Sequence, residues 1–205
     1  MQRGKKVKRH FIELGILMLF LFTLPVYAGA PLDTVQTNVN KVLDVLRDPK
    51  LKAESAKEIK KKKLEAFYEQ MFDEVELSMR SLGGNWKKLS PAQQREFIQL
   101  YRQVLEKAYV DQILSYSFTN EKIVFSKENM LSNNQAEVQT KIITSSKEIP
   151  VFYRVILKDG TWKVYDVVVE NVSLVQNYRS QFNSILAKNT PDQLIEILRK
   201  KVKGQ

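Results

Sequence analysis

The spacing of apolar residues changes twice along this chain, and that double change restricts the fold more than any other feature. From Leu32 to about Tyr109 apolar residues recur every three to four positions, the signature of one helix face. After about Ser117 they recur every second position, as on one face of a strand, and after Ser173 the helical spacing returns. Strands joined directly to one another, with no helix between them, must pair antiparallel, because a parallel pair needs a long crossover. The chain is therefore read as a single α+β domain with helices before and after a contiguous antiparallel sheet.

The boundaries follow from capping and turn residues. Leu32, Val35, Val39, Val42, Leu43 and Leu46 mark a first helix that stops before Pro49. One long helix is expected from about Ser55 to Ser81, ended by Gly83-Gly84. Ser90-Pro91-Ala92-Gln93 and Thr190-Pro191-Asp192-Gln193 each supply an N-cap hydroxyl, a Pro at the first helical position and a Gln three residues past the cap. In the strand block, Ile123 and Phe125, then Ala136 to Ile142, then Val151 to Leu157, and finally Trp162, Val164, Asp166 and Val168 alternate. Asn133-Asn134 and Asp159-Gly160 mark hairpin turns, so four strands are expected in a meander.

The first segment reads as an address. Arg3, Lys5, Lys6, Lys8 and Arg9 precede an apolar run from Phe11 to Leu24, and small Ala28 follows. That run of 14 residues is shorter than the roughly 20 a spanning helix needs. Residues 1–28 are thus expected to be a cleaved secretory signal peptide and residues 29–205 the working domain. With the signal leave five Lys/Arg and one Glu, so the formal charge falls from +10 to about +6. His10, the only histidine, leaves too, and the 205 residues contain no cysteine. A mature chain without His or Cys excludes thiol and histidine nucleophile chemistry, disulfides, a lipid-modified cysteine anchor and the usual zinc, copper or haem ligands.

Four features remain to carry function. Large apolar and aromatic residues are abundant, and the third strand is apolar on both faces (Val151, Tyr153 and Val155; Phe152 and Ile156). Either both faces are covered or some apolar surface meets a cavity or a partner. Lys60 to Lys63 with Lys57, and Arg199 to Lys201 with Lys203, read as solvated helix faces or as attraction to anionic membranes or an acidic partner. Export, and the lack of aromatics within these runs, argue against nucleic acid. Asp166 reads as a hydrogen-bonded strand acid, and Arg179 as an ion-paired helix residue or a phosphate contact.

The run from Trp162 through Tyr165-Asp166 and Val172-Ser173-Leu174 to Tyr178-Arg179, Phe182 and Leu186 resembles the signature of the MlaC family, also called the toluene-tolerance auxiliary component family. The resemblance continues in Leu89-Ser90-Pro91-Ala92-Gln93 with Phe97 and Tyr101, in Ile149-Pro150-Val151, and in Pro191 to Ile195. Asn171 departs from it, standing where the family usually has Gly; Asn tolerates the left-handed conformation such a turn needs.

The resemblance implies an NTF2-like or cystatin-like fold: helices packed on a curved four-stranded antiparallel sheet, with an internal apolar cavity. It implies a soluble periplasmic phospholipid carrier, shuttling lipid between an outer-membrane lipoprotein complex and an inner-membrane ABC transporter with an MCE-domain protein, and so maintaining outer-membrane asymmetry. No catalytic residue and no cofactor are implied, the phospholipid being cargo. A hopanoid or another lipid stays open as cargo, as does a non-enzymatic adaptor role. An enzyme on the same scaffold would need a carboxylate or Tyr as base. The lining is expected to come from Phe97, Leu100, Tyr101, Val104 and Tyr109 on the helix, with Val151, Tyr153, Val155, Val164 and Val168 on the sheet.

Overall fold

Tight turns lay the strands side by side in chain order. In the computed structural model, which describes residues 30–110, 113–114 and 120–204, strands β1 (Lys122–Ser132), β2 (Gln135–Ile143), β3 (Glu148–Lys158) and β4 (Thr161–Val169) pair antiparallel as an open meander. The expected signal peptide lies outside the described residues. Asp159 and Gly160, at φ 50° and 74°, form the two-residue link between β3 and β4. Positive φ at both positions matches the natural twist of a hairpin.

A fifth strand corrects the expected four. Glu170 and Asn171, at φ 49° and 66°, make another such turn, and β5 (Val172–Ser173) folds back onto Val168 and Val169. The left-handed conformation expected at Asn171 is thus present, and it forms a hairpin rather than a simple exit from the sheet.

A second correction concerns β4. Val155 pairs with Val164 but Arg154 pairs with Asp166, so Tyr165 is an extra residue in the strand. Such a bulge reverses the in–out alternation beyond it. Val167 and Val169, not Asp166 and Val168, therefore share a face with Trp162 and Val164, opposite Tyr153 and Val151.

The helices follow the capping signals, with one break. α1 (Pro31–Arg47) lies on the sheet with Val35, Val39 and Leu43 buried. The single helix expected from Ser55 to Ser81 is two, α2 (Lys57–Met71) and α3 (Glu74–Leu82). Phe72 is extended and bridges to Val164, the Asp73 N–H donates to the Val164 carbonyl at 2.9 Å, and the Asp73 carboxylate accepts from Glu76 N at 2.9 Å as the cap of α3. Asp73 with Glu76 is an N-terminal signature that helical periodicity alone conceals. α4 (Pro91–Leu105) starts at the Ser90–Gln93 capping box and runs into a π-helical turn, Glu106–Val110. α5 (Leu174–Leu186) and α6 (Pro191–Lys203) close the chain.

Of the three apolar clusters among the described residues, two frame the site, the third packing the end of α1 against α2 around Leu46 and Leu64. One lies between α1 and the sheet and holds Ala136, Val138, Val155, Trp162 and Val164. The other joins α3, α4, α5 and α6 around Phe97, Tyr101, Tyr178 and Phe182. Phe72, at the α2–α3 break, packs against both.

Candidate functional site

Between these clusters the helices and the sheet do not close. They leave an apolar cavity of about 560 Å³. Its walls are Tyr68 and Phe72 from α2 and its end, Leu77 from α3, Leu105 from α4, Tyr109 and Val110 from the π turn, and Ile113. Val167 and Val169 of β4, Val172 of β5 and Leu174 of α5 complete it. Each of the departures described above contributes to this wall: the helix break supplies Phe72, the bulge turns in Val167 and Val169, and the last hairpin supplies Val172. The π turn sets Tyr109 and Val110 at the cavity after α4 has ended, a placement such turns often have at functional sites.

The polar groups of the cavity are Glu65, Arg102, Glu106 and Asn177. Ion pairs link α2 to α4 and its continuation here. Lys61 Nζ lies 3.1 Å from Glu106 and 3.7 Å from Glu65, and Arg102 pairs with Glu69 at 2.6 Å and Glu74 at 3.3 Å. Arg102 also sits 5.8 Å over the Tyr68 ring, which stacks on Phe72 at 4.6 Å. A hydrogen bond with Glu106, with burial adding to it, raises the Glu65 carboxyl above its ordinary value. Burial works to raise Glu106 as well, but its hydrogen bonds with Glu65 and Lys61 outweigh that and hold it low. Burial raises the Tyr68 phenol, which stays neutral. The arrangement offers apolar burial with charge confined to a few paired groups. Among the described residues, no serine, threonine or cysteine lines the cavity.

Of the residues expected to line a cavity, Tyr109 is on this wall. Phe97, Leu100, Tyr101 and Val104 lie in the aromatic cluster of α3 to α6, where Tyr101 and Tyr178 meet edge to face at 5.0 Å and Ser81 Oγ is 3.1 Å from the Tyr101 hydroxyl. Burial pushes the Tyr178 phenol up to about 12. Val155 and Val164 lie under α1, and half-buried Tyr153 packs against that cluster. Val151 is buried opposite the cavity residue Val169. Val168 is buried too, but pairs with Phe152 and Ser173 on the other side of the sheet, because the bulge at Tyr165 intervenes. Tyr68 and Phe72 belong to the aromatic excess visible in the sequence, and the Asp73 cap was the available sign that Phe72 ends a helix.

Asp166 is structural. It is 2% exposed and accepts from Ser173 Oγ at 2.6 Å, Val175 N at 3.0 Å and Arg154 at 3.1 Å, fastening the start of α5 to the sheet. Arg179 donates from Nε to the Arg80 carbonyl at 2.8 Å, near the end of α3. Gly83 lies against that arginine, and a β-carbon on Gly83 would come within 3.3 Å of its Nε.

Residues 36–200 match the family model described as MlaC protein. The chain belongs to the MlaC family. It is 31% identical over 119 residues to the intermembrane phospholipid transport system binding protein MlaC of Haemophilus influenzae. That match covers 56% of this chain and 55% of the relative, so the chain spans about half the length of the curated relative it matches. A solved structure of the phospholipid-binding protein from Ralstonia solanacearum, in complex with a phospholipid, superposes with a TM-score of 0.74, covering 86% of this chain and 98% of that one. At 20% identity this likeness establishes a shared fold. This chain has helices packed on an open antiparallel sheet, the fold it shares with the Ralstonia protein. Among its described residues no helix is long and apolar enough to cross a membrane.

Proposed function

We propose that this protein is a soluble periplasmic phospholipid carrier that moves lipid between membranes. The observation that carries the reading is the cavity of about 560 Å³ walled by aliphatic and aromatic side chains. Lipid tails must not cross water exposed: at about 0.8 kcal/mol per methylene, two tails of about 15 methylenes each cost on the order of 24 kcal/mol. A carrier therefore has to bury nearly all of both tails. A bilayer buries them equally well, so the net preference is small and transfer is reversible. The head group lies at the mouth, near the paired charges of Lys61, Glu65, Arg102 and Glu106.

The family and the name of the Haemophilus relative support this reading. In its finer form, the protein is exported by residues 1–28, needs no cofactor and catalyses no reaction. It passes lipid between an outer-membrane lipoprotein complex and an inner-membrane MCE-domain protein of an ABC transporter, sustaining outer-membrane asymmetry. The test is mass spectrometry of organic extracts from the exported protein purified without detergent. Stoichiometric phospholipid is the expected result, and a hopanoid would redefine the cargo. An empty, well-folded protein that takes no lipid from vesicles overturns the proposal.

A further inference from the structure

The two lysine runs, near opposite ends of the working domain, meet in the fold. A second cleft, of about 390 Å³, is walled by Lys61 of α2, Gln103 of α4, Glu106 and Lys107 of the π turn, and Val202 of α6. The Lys107 ammonium lies beside Gly204 at the end of α6. Glu106 belongs to both this cleft and the apolar cavity, so the corner borders the cavity's mouth. Lys201 Nζ sits 5.8 Å from the centre of the Tyr178 ring, and Tyr178 in turn meets Tyr109 on the cavity wall.

Charge is concentrated there. Residues 54–65, Glu106, Lys107 and residues 200–204 together hold nine lysines and four glutamates, which accounts for most of the mature surplus of about +6. Lys62, Lys63, Lys107, Lys200 and Lys203 are exposed and make no ion pair among the described residues. The nearby Arg199 is held by Glu96 and Glu196. Beside this corner the cavity's own wall is exposed and apolar: Tyr109 is 41% exposed, Ile113 38%, Val169 42% and Val172 61%.

We infer that this corner is a docking surface for anionic bilayers, which turns the cavity mouth toward the lipid during exchange. The inference rests on the carrier reading above. Two observations favour a bilayer over an acidic protein. The unpaired cations are all lysines, flexible point charges suited to a diffuse anionic surface, whereas protein interfaces favour arginine and are depleted in lysine. The flanking Tyr, Ile and Val side chains fit the boundary between head groups and tails, where apolar groups insert beside basic ones.

The test is co-sedimentation of the exported protein with vesicles of phosphatidylcholine alone, or of phosphatidylcholine with one third phosphatidylglycerol, at low and high salt. The expected result is binding to the anionic vesicles at least about tenfold tighter than to the neutral ones, with high salt erasing the difference. The variant Lys62→Glu/Lys63→Glu/Lys200→Glu/Lys203→Glu should lose that preference while unfolding at the wild-type temperature and keeping its extracted lipid. If charge reversal prevents folding, the same four Lys→Gln changes should weaken anionic binding by about threefold or more. Equal binding to both vesicles, or wild-type binding by the variants, overturns the inference. Lipid in the extract without any vesicle preference overturns docking alone, whereas absence of lipid from the extract overturns the carrier reading itself.

Discussion

Two aromatic regions of this protein look alike in sequence and are opposite in physics. Under α4, Phe97, Tyr101, Tyr178 and Phe182 form a closed set of ring contacts at 5.0 to 5.7 Å, all of them 5% exposed or less. On the other side of α4, Tyr68, Phe72 and Tyr109 face a space of about 560 Å³. The first set is surrounded by other side chains on every side. The second has its neighbours along one side and open volume on the other, so it lacks part of the dispersion contact that closed packing provides. A helix can thus stabilise the fold with one face and offer volume to a ligand with the end of another.

Substitutions can separate the two regions. The largest effect is expected in the closed cluster: Tyr101→Ala should cost about 3–5 kcal/mol, read by urea unfolding, with lipid content falling only as the folded fraction falls. Next, Val155→Trp and Leu100→Trp insert bulk where α1 and α4 pack, and each should cost about 1–3 kcal/mol. If either retains wild-type stability and instead loses lipid, the cavity extends farther than the wall described above. Val167→Trp is the counterpart on the cavity wall. It should change stability by less than about 1 kcal/mol while reducing extracted lipid severalfold, and a large loss of stability would show that Val167 is core.

The smallest effect is electrostatic and lies at the cavity's rim. Because Glu65 is raised by its hydrogen bond with Glu106, it favours the folded state most while protonated, and that contribution fades as pH rises through its folded value. Glu65→Gln mimics the protonated form permanently. It should therefore raise Tm slightly near neutral pH, and the gain should vanish below the ordinary glutamate value of 4.5. A gain that persists in acid would mean that repulsion between the two carboxylates is not its source.

The sequence was most legible where local chemistry decides local structure. The capping boxes at Ser90 and Thr190 start α4 and α6 as read, and the Asp159-Gly160 turn joins the strands as read. It was least legible where one element answers to another. The break at Phe72 depends on a backbone hydrogen bond from Asp73 to Val164 across the fold. The bulge at Tyr165 depends on pairing with Arg154 and Val155, and nothing in the alternating run from Trp162 to Val168 announces it. Shifting the alternation by one residue exchanged Val168 for Val167 and Val169 on the cavity's side of the sheet.

What the sequence determined by itself was the kind of protein: its helix and strand blocks, its family signature, and a chain with no Cys, a single His at position 10 and a positive surplus. Those properties reside in residue type and spacing, which survive without tertiary information. The tertiary structure alone decided which apolar residues touch one another and which enclose empty volume, and it alone joined two remote lysine runs at one corner. Burial against a neighbour and burial against a void require the same residues at the same spacing, and only the relative placement of helices and sheet distinguishes them.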